Sequence, residues 1–517
     1  MNESLSNSTT RTNTLLKESI MLSSQTNDSL DKINPEVFNG KITKKLVISA
    51  FGALIGGSFQ FGYNIGCINN PSQFIINWIR RSNSSSTKDL MGEEKAETIF
   101  GIIASIYFLG GMIGSFLTGY VGDTFGRKKG LLLNNIFIFI GLLLQGIGIY
   151  YHLYYLLIIG RFCIGISCGL ATGLTPMYLC EIAPKNKSGL FGNMNQVFIT
   201  FSILFSQILG LSQIFGTSTR WYLILLFPIV PMIIQIVILP YAPESPKYEL
   251  VVKNNIDNAI VSLKKLRDEE DIYDEVEFLK REAEESKYLE KVTLKNIFKN
   301  ELHWPMIVAI VMMLSQKLSG VDAVLFYSTS IFKSAGLKNN APVYGTIGIG
   351  LVLFLQTLVS TWLVDHPRFG RRPLHLFGLI GMFFTSIGLV ICLIVQNQDV
   401  SSKVKLIGSY GAIATVIVYI ISFATGPGGI PWFYVSEIFN SSARGISTSI
   451  SCFVNWMAGF FVGLIFPIAN GYLKEYTFLI FIVFIGICII FVFRYVPETK
   501  GKSVDEIQRE METKRKS

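Results

Sequence analysis

The chain predicts an all-α membrane protein: twelve spanning helices in two six-helix halves, joined by a soluble helical linker. Three observations predict it. Apolar runs of about twenty residues recur along a 517-residue chain that is 50% hydrophobic and 16% charged, and a bilayer-crossing helix needs a run of that length. A charge-dense stretch from Tyr241 to about Leu302 opens with PESPKYEL, includes LKKLRDEEDIYDEVEFLKREAEE, and separates two apolar regions of roughly two hundred residues each. These regions echo each other: GDTFGRKKG (Gly122 to Gly130) returns as DHPRFGRRP (Asp365 to Pro373), CEIAP around Glu181 as SEIF around Glu437, and PESPK as PETKG at Pro497.

Composition narrows the function classes. Mean hydropathy is +0.45, and the number of long apolar runs argues against a large soluble enzyme with buried helices. The 46 glycines suit close helix packing in lipid, where small residues let backbones approach. A net charge of +9 could suit nucleic acid, but its placement is topological. Arg127, Lys128 and Lys129 follow the second run, Lys185 and Lys187 the fourth, and Arg368, Arg371 and Arg372 the eighth, so the basic loops share one parity and mark the cytosolic side. Arg80, Arg81 and Lys88 are exceptions. The seven cysteines lie mostly within apolar runs without metal-ligand spacing, and the four histidines are scattered. No metal site and no cofactor is predicted. The partners expected are a small-molecule substrate and the bilayer.

In chain order, residues 1–42 are rich in Ser, Asn and Thr and read as a disordered cytosolic terminus without a signal peptide. Residues 43–240 form the first bundle, with spans near 45–68, 99–120, 130–150, 154–180, 190–214 and 221–240. The linker, 241–302, carries the spacing of short amphipathic helices. Residues 303–496 form the second bundle, with spans near 304–333, 343–364, 373–396, 405–435, 445–469 and 476–495. The tail, 497–517, reads as a short helix with a frayed end. An even number of spans puts both termini in the cytosol. The loop after the first span then lies outside, where Asn83-Ser84-Ser85 is a glycosylation sequon.

Several strings together carry a family resemblance. QFGYNIGCINNP (Gln60 to Pro71), GDTFGRKKG, GRFCIGISCGLATGLTPMYLCEIAP (Gly160 to Pro184), PESPK, QKLSGVDAVLFYSTSIF (Gln316 to Phe332), GPGGIPWFYVSEIF (Gly426 to Phe439), Asn455-Trp456 and VPETKGKS occur in the order seen in sugar porters of the major facilitator superfamily. Over roughly residues 45 to 505 the chain most resembles animal facilitative glucose transporters. The resemblance implies a plasma-membrane uniporter rather than an enzyme, working by alternating access around a hexose, glucose first, or a similar polyol held between the halves. A non-transporting nutrient sensor on the same fold is the alternative.

The resemblance assigns residues. Asp123, Arg127, Lys128, Glu181, Glu244, Lys247, Asp365, Arg371, Arg372, Glu437 and Arg444 match a cytosolic gate of salt bridges between the halves, although charges that merely set topology account for some of them. Gln196, Gln316, Thr172, Asn455, Trp432 and Phe423 match the sugar-contacting or cavity-lining pattern, with Gln196 and Gln316 the strongest ligands. Asn455 could instead bond between helices, and Trp456 reads as packing. Pro427, Gly428, Gly429 and Pro431 interrupt the tenth span, either as a hinge or as a static kink. Asn64 stands where proton-coupled relatives carry aspartate, and an amide does not titrate.

The chain also departs from the pattern. Lys317 and Asp322 replace two amides at the sugar site; a helix break near Gly320 would bring them together as a neutral pair, either structural or substrate-selecting. Leu353, Ala424 and Gly459 replace an asparagine, a glutamate and an asparagine. Ser188 beside Lys187, and Lys247, replace arginines of the gate, and the loop after Asp365 is two residues longer than usual.

Overall fold

The computed structural model describes residues 40–82, 90–184, 187–269, 272–288, 296–298, 302–398 and 401–516. The sequon at Asn83 and the terminus up to residue 39 lie outside them.

Among the described residues, eleven helices are both long and apolar enough to cross a membrane. In chain order they are α1 (Lys44–Gly66), α2 (Glu93–Phe125), α3 (Arg127–Tyr150), α4 (Tyr154–Ile182), α6 (Trp221–Tyr241), α7 (His303–Ser334), α8 (Ala341–Val364), α9 (Arg371–Asn397), α10 (Ser402–Ile438), α11 (Ala443–Tyr476) and α12 (Phe478–Tyr495). The twelfth, α5 (Ser188–Leu209), has 22 residues, enough to span. It carries Asn193, Asn195, Gln196, Ser202, Ser206 and Gln207, which lower its apolarity. Polar side chains in a span belong against protein or a wet cavity rather than lipid, and Ser202, Ser206 and Gln207 are indeed buried.

Element boundaries differ from expectation where polarity and helicity part company. Helix α2 starts six residues before the apolar run, because Glu93 and Glu94 extend its first turn and suit the positive end of the helix dipole. Helix α11 continues to Tyr476 through Pro467. Four spans are broken, one of them α6, whose helices Trp221–Leu226 and Ile229–Ile238 are separated at Phe227–Pro228. In α1 the helices Lys44–Gly56 and Ser58–Gly66 meet at Gly57, and in α7 the helices His303–Lys317 and Val321–Ser334 meet around Gly320, whose φ is +90°. In α10 the break lies between Thr425 and Ile430, over the predicted Pro-Gly-Gly-Ile-Pro run.

Helices α2 and α11 pack along their length, and α5 packs on α8, so the halves meet along two seams. The first seam is aromatic: Trp456 of α11 lies 5.2 Å from Phe61, 5.6 Å from Tyr107 and 5.7 Å from Phe108 by ring centroids. Glycine keeps it close. A Cβ on Gly459 would come within 2.6 Å of the Phe108 ring, so the position that lacks the expected asparagine is filled by an aromatic from the other half.

The linker forms the amphipathic helices its sequence predicts, Ile256–Arg267 and Tyr273–Tyr288, after a π-helical turn at Tyr248–Val252. They dock on the first half. Thr43 Oγ1 donates to the Leu266 carbonyl at 2.6 Å, and Arg267 donates to the Ile182 carbonyl at 2.9 Å while pairing with Glu275 at 2.6 Å. The tail helix Val504–Lys516 docks instead on the second half. It buries Ile507 and Met511, donates from Gln508 to the Ile438 carbonyl and lays Arg515 over the Trp304 ring.

Candidate functional site

Two clusters at the linker face repeat the same construction. Helix α3 begins at Arg127, immediately after Gly126, whose φ of +95° makes the turn. Its first amides would be orphaned; Glu244 of PESPK accepts from the backbone N–H of Arg127 at 3.0 Å and of Lys128 at 2.9 Å. The Arg127 side chain forks onto Glu181 (Nε to Oε2 2.9 Å, Nη2 to Oε1 3.1 Å) and reaches the Gly122 carbonyl and Asp123 at 2.9 and 3.4 Å. Ser245 Oγ also donates to Glu181, and Tyr178 Oη to the Pro243 carbonyl.

The second half repeats each part. Glu498 of PETKG accepts from the N–H groups of Arg371 and Arg372 at 2.9 and 3.1 Å. Arg371 pairs with Glu437 at 3.3 Å and donates to the Val364 carbonyl. Thr499 Oγ1 donates to Glu437, and Tyr434 Oη to the Pro497 carbonyl. The first cluster is tighter: the Arg127 and Glu181 side chains are 9% and 11% exposed, against 16% and 27% for Arg371 and Glu437. The longer loop after Asp365 is held by Lys500, whose ammonium donates to the carbonyls of Val364, His366 and Phe369. Asp365 closes that helix, its side chain outside the described set.

In this structure Arg127–Glu181 and Arg371–Glu437 lie within their own halves, not between them, because each arginine projects from the start of one helix towards the end of a neighbour in the same bundle. Lys128 Nζ likewise turns to the Pro240 carbonyl, Arg372 to Phe493 and Arg444 to Phe439. Lys247 leads into the π-turn. Hydrogen bonds joining the halves gather at the opposite face. Asn69 Nδ2 donates to the Leu325 carbonyl at 2.7 Å and to Ser328 Oγ at 2.6 Å, Thr329 donates to Asn70 Oδ1, and Gln213 to Tyr344.

Between the two faces lie the predicted ligands. Gln316 is buried and fully engaged: Nε2 donates to the carbonyls of Pro427 and Gly428 at 3.0 and 2.7 Å, and Oε1 accepts from Asn455 at 2.7 Å. The carbonyls freed by the α10 break thus find an amide on α7, and Asn455 bonds between helices α11 and α7. Gln196 is half-buried on α5. Thr172 donates to the Cys168 carbonyl one turn back. Phe423 is buried beside the α10 break and Trp432 is half-buried just beyond it. Leu353 and Ala424 are buried apolar side chains.

The pair expected around Gly320 is present. Lys317 Nζ lies 3.0 Å from Asp322 Oδ1, with side chains 8% and 2% exposed. Residues five apart on a straight helix point away from each other; the left-handed turn at Gly320 brings them together. Only glycine fits that turn, since a Cβ there would also stand 2.6 Å from the Phe481 ring. The ammonium faces the Phe108 ring of the other half at 5.2 Å.

Three participants were missed in the sequence. Glu498 and Thr499 were signalled by the PESPK–PETKG repeat. Arg161, fully buried on α4, donates to Asn64 Oδ1 at 3.3 Å and to the Asn64 carbonyl at 3.0 Å, and lies over the Tyr107 ring. A single arginine inside an apolar run is the one mark of it that the sequence carries.

Twelve spans in two halves, matched charge clusters at one face and a polar centre at the seam define a two-half membrane carrier. The family described as sugar (and other) transporters matches residues 49–511. The chain is 45% identical to facilitated glucose transporter protein 1 of Caenorhabditis elegans, covering 92% of each chain, and 38% identical to mouse solute carrier family 2, facilitated glucose transporter member 3, covering 91% of this chain and 94% of that one. It shares its fold with the Escherichia coli xylose transporter XylE in a partially occluded inward-open conformation, with a TM-score of 0.73, 22% identity and coverage of 89% and 100%. The chain belongs to the sugar transporter family, a multi-pass membrane protein and not an enzyme.

Proposed function

We propose that this protein is a facilitative hexose uniporter, with glucose the first substrate to test, working by alternating access. The observation that carries the reading is the distribution of bonds between the halves. The charge clusters at the linker face are closed within each half, while Asn69 and Asn70 tie α1 to α7 at the opposite face. A structure closed at one end, with a polar centre between the halves, is one of the two states that such a carrier needs. The names of its relatives support a hexose, and the position of Asn64 against Arg161 supports uniport: an amide offers no proton to carry.

Gln196 serves as a direct sugar ligand. Gln316 and Asn455 hold the α10 break in this state, and their amides turn to the sugar when the break at Pro427–Pro431 flexes. Thr172, Trp432 and Phe423 line the path. In the opposite state the two linker-face clusters dock on each other, trading pairs within halves for pairs between them. The linker face is cytosolic, the carrier resides in the plasma membrane, and Asn83 is glycosylated. The test is equilibrium exchange of labelled glucose by the purified carrier in proteoliposomes, with a panel of other sugars as competitors. Saturable, stereoselective exchange supports the reading. A folded protein that exchanges no sugar refutes it.

A further inference from the structure

A cavity of about 180 Å³ lies across the seam of the two halves, at the face opposite the linker. Drug-sized sites span roughly 300–1,000 Å³, so an occupant here is a small molecule. One wall is the chain just beyond α1 and α5, with Asn70, Ser72 and Ser212; the other is the end of α7 and the start of α8, with Thr329, Lys333 and Asn340. Two of these side chains are deeply set. Asn70 is 8% and Thr329 4% exposed, and the Thr329 hydroxyl donates to Asn70 Oδ1 across the seam at 3.3 Å. Asn70 Nδ2 spends one of its two hydrogens on the Gln207 carbonyl and keeps the other. Among the described residues, Lys333 is the one charged group on the cavity wall, and it pairs with no carboxylate. A lone cation set among carboxamides and hydroxyls suits an anion that also carries hydroxyl groups.

We propose that this cavity binds a small hydroxylated carboxylate, and that its occupant holds the carrier in the state this structure shows. Lys333 takes the carboxylate, while the spare Asn70 hydrogen and the Ser72 and Ser212 hydroxyls take the ligand's hydroxyls. The ligand touches both halves. Opening this face draws the two walls apart, so the ligand has affinity for one state and shifts the population towards it. The consequence for transport rests on the proposed function: alternating access requires this face to open, so an occupant slows exchange without competing for the central site. The bound carboxylate is an inhibitor, not cargo.

The probe is D-gluconate, with D-sorbitol, a similar polyol without the charge, as control, on the full purified chain at matched ionic strength. Thermal unfolding reads binding directly. Gluconate raises the midpoint of wild type and sorbitol at the same concentration does not; Lys333→Gln weakens gluconate about tenfold, and Lys333→Glu abolishes its effect. Lys333 is exposed, so both variants keep the unliganded midpoint of wild type. In equilibrium exchange of labelled glucose in proteoliposomes, gluconate lowers the maximal rate of wild type, leaves half-saturation by glucose unchanged, and does nothing to Lys333→Glu. No gluconate shift in wild type, or an equal shift in Lys333→Glu, overturns the site. Gluconate that raises the half-saturation instead, as a competitor at the centre would, overturns its action through the closed face. A gluconate shift in a protein that exchanges no sugar supports the site while removing the transport reading.

Discussion

Replacing Glu181 with alanine should destabilise this carrier more than the equivalent change at Glu437. The two glutamates occupy matching places in the two halves, so the comparison isolates burial and geometry. Glu181 takes a two-point fork from Arg127 at 2.9 and 3.1 Å and a hydrogen bond from Ser245, in a site about a tenth exposed. Its loss strands a buried guanidinium and a hydroxyl, and removing one partner of a buried pair costs about 3–5 kcal/mol. The Arg371–Glu437 contact is longer, at 3.3 Å, and its side chains are 16% and 27% exposed, between the buried and surface regimes, so about 1–2 kcal/mol is expected. For a chain of this length each kcal/mol moves the midpoint by roughly 1–2 °C, scaling down from smaller domains. Thermal unfolding of the purified carrier in detergent, followed by tryptophan fluorescence, should therefore show a drop of about 5 °C for Glu181→Ala and about 2 °C for Glu437→Ala. Equal shifts, or the reverse order, would show that the tighter geometry does not set the energetics.

Three further outcomes follow from the breaks and the buried centre. Gly320→Ala forces a side chain into φ +90° and against Phe481, costing about 1–3 kcal/mol; the variant should unfold earlier and exchange sugar more slowly. Gln316→Leu orphans the Pro427 and Gly428 carbonyls, at about 1–3 kcal/mol for each buried group left unpaired, leaves Asn455 only its contacts to Met313, and should cut the initial exchange rate at least tenfold, read by counterflow. Asn64→Asp places a carboxylate against Arg161 and supplies a titratable group; uptake with and without a protonophore should diverge in this variant, whereas wild-type uptake is unchanged.

Sequence reading reached the architecture because hydropathy and internal repetition are local signals. Apolar runs locate the spans, and the returning GRK/GRR and PES/PET strings locate both clusters. The break at Gly320 and the pairing across it were also legible, since an unpaired charge at that depth is too costly to stand alone. Partner choice was less so. Gln316 reads as a ligand in sequence, but its amide caps the α10 break more than a hundred residues away, and nothing near Gln316 announces those carbonyls. The charge pairs read as bonds between halves because a string records which charges lie at helix ends, not which state the carrier occupies. Arg161 escaped because its partners, Asn64 and the Tyr107 face, lie on two other helices.

The most direct test of the central claim is counterflow of labelled glucose into proteoliposomes loaded with unlabelled glucose, with the proton gradient collapsed, for wild type and Gln196→Ala in parallel. The account predicts transient, saturable and stereoselective accumulation by wild type, strongly reduced in the variant although its unfolding midpoint is unchanged. Absence of counterflow in folded wild type, or counterflow that requires a proton gradient, would contradict it.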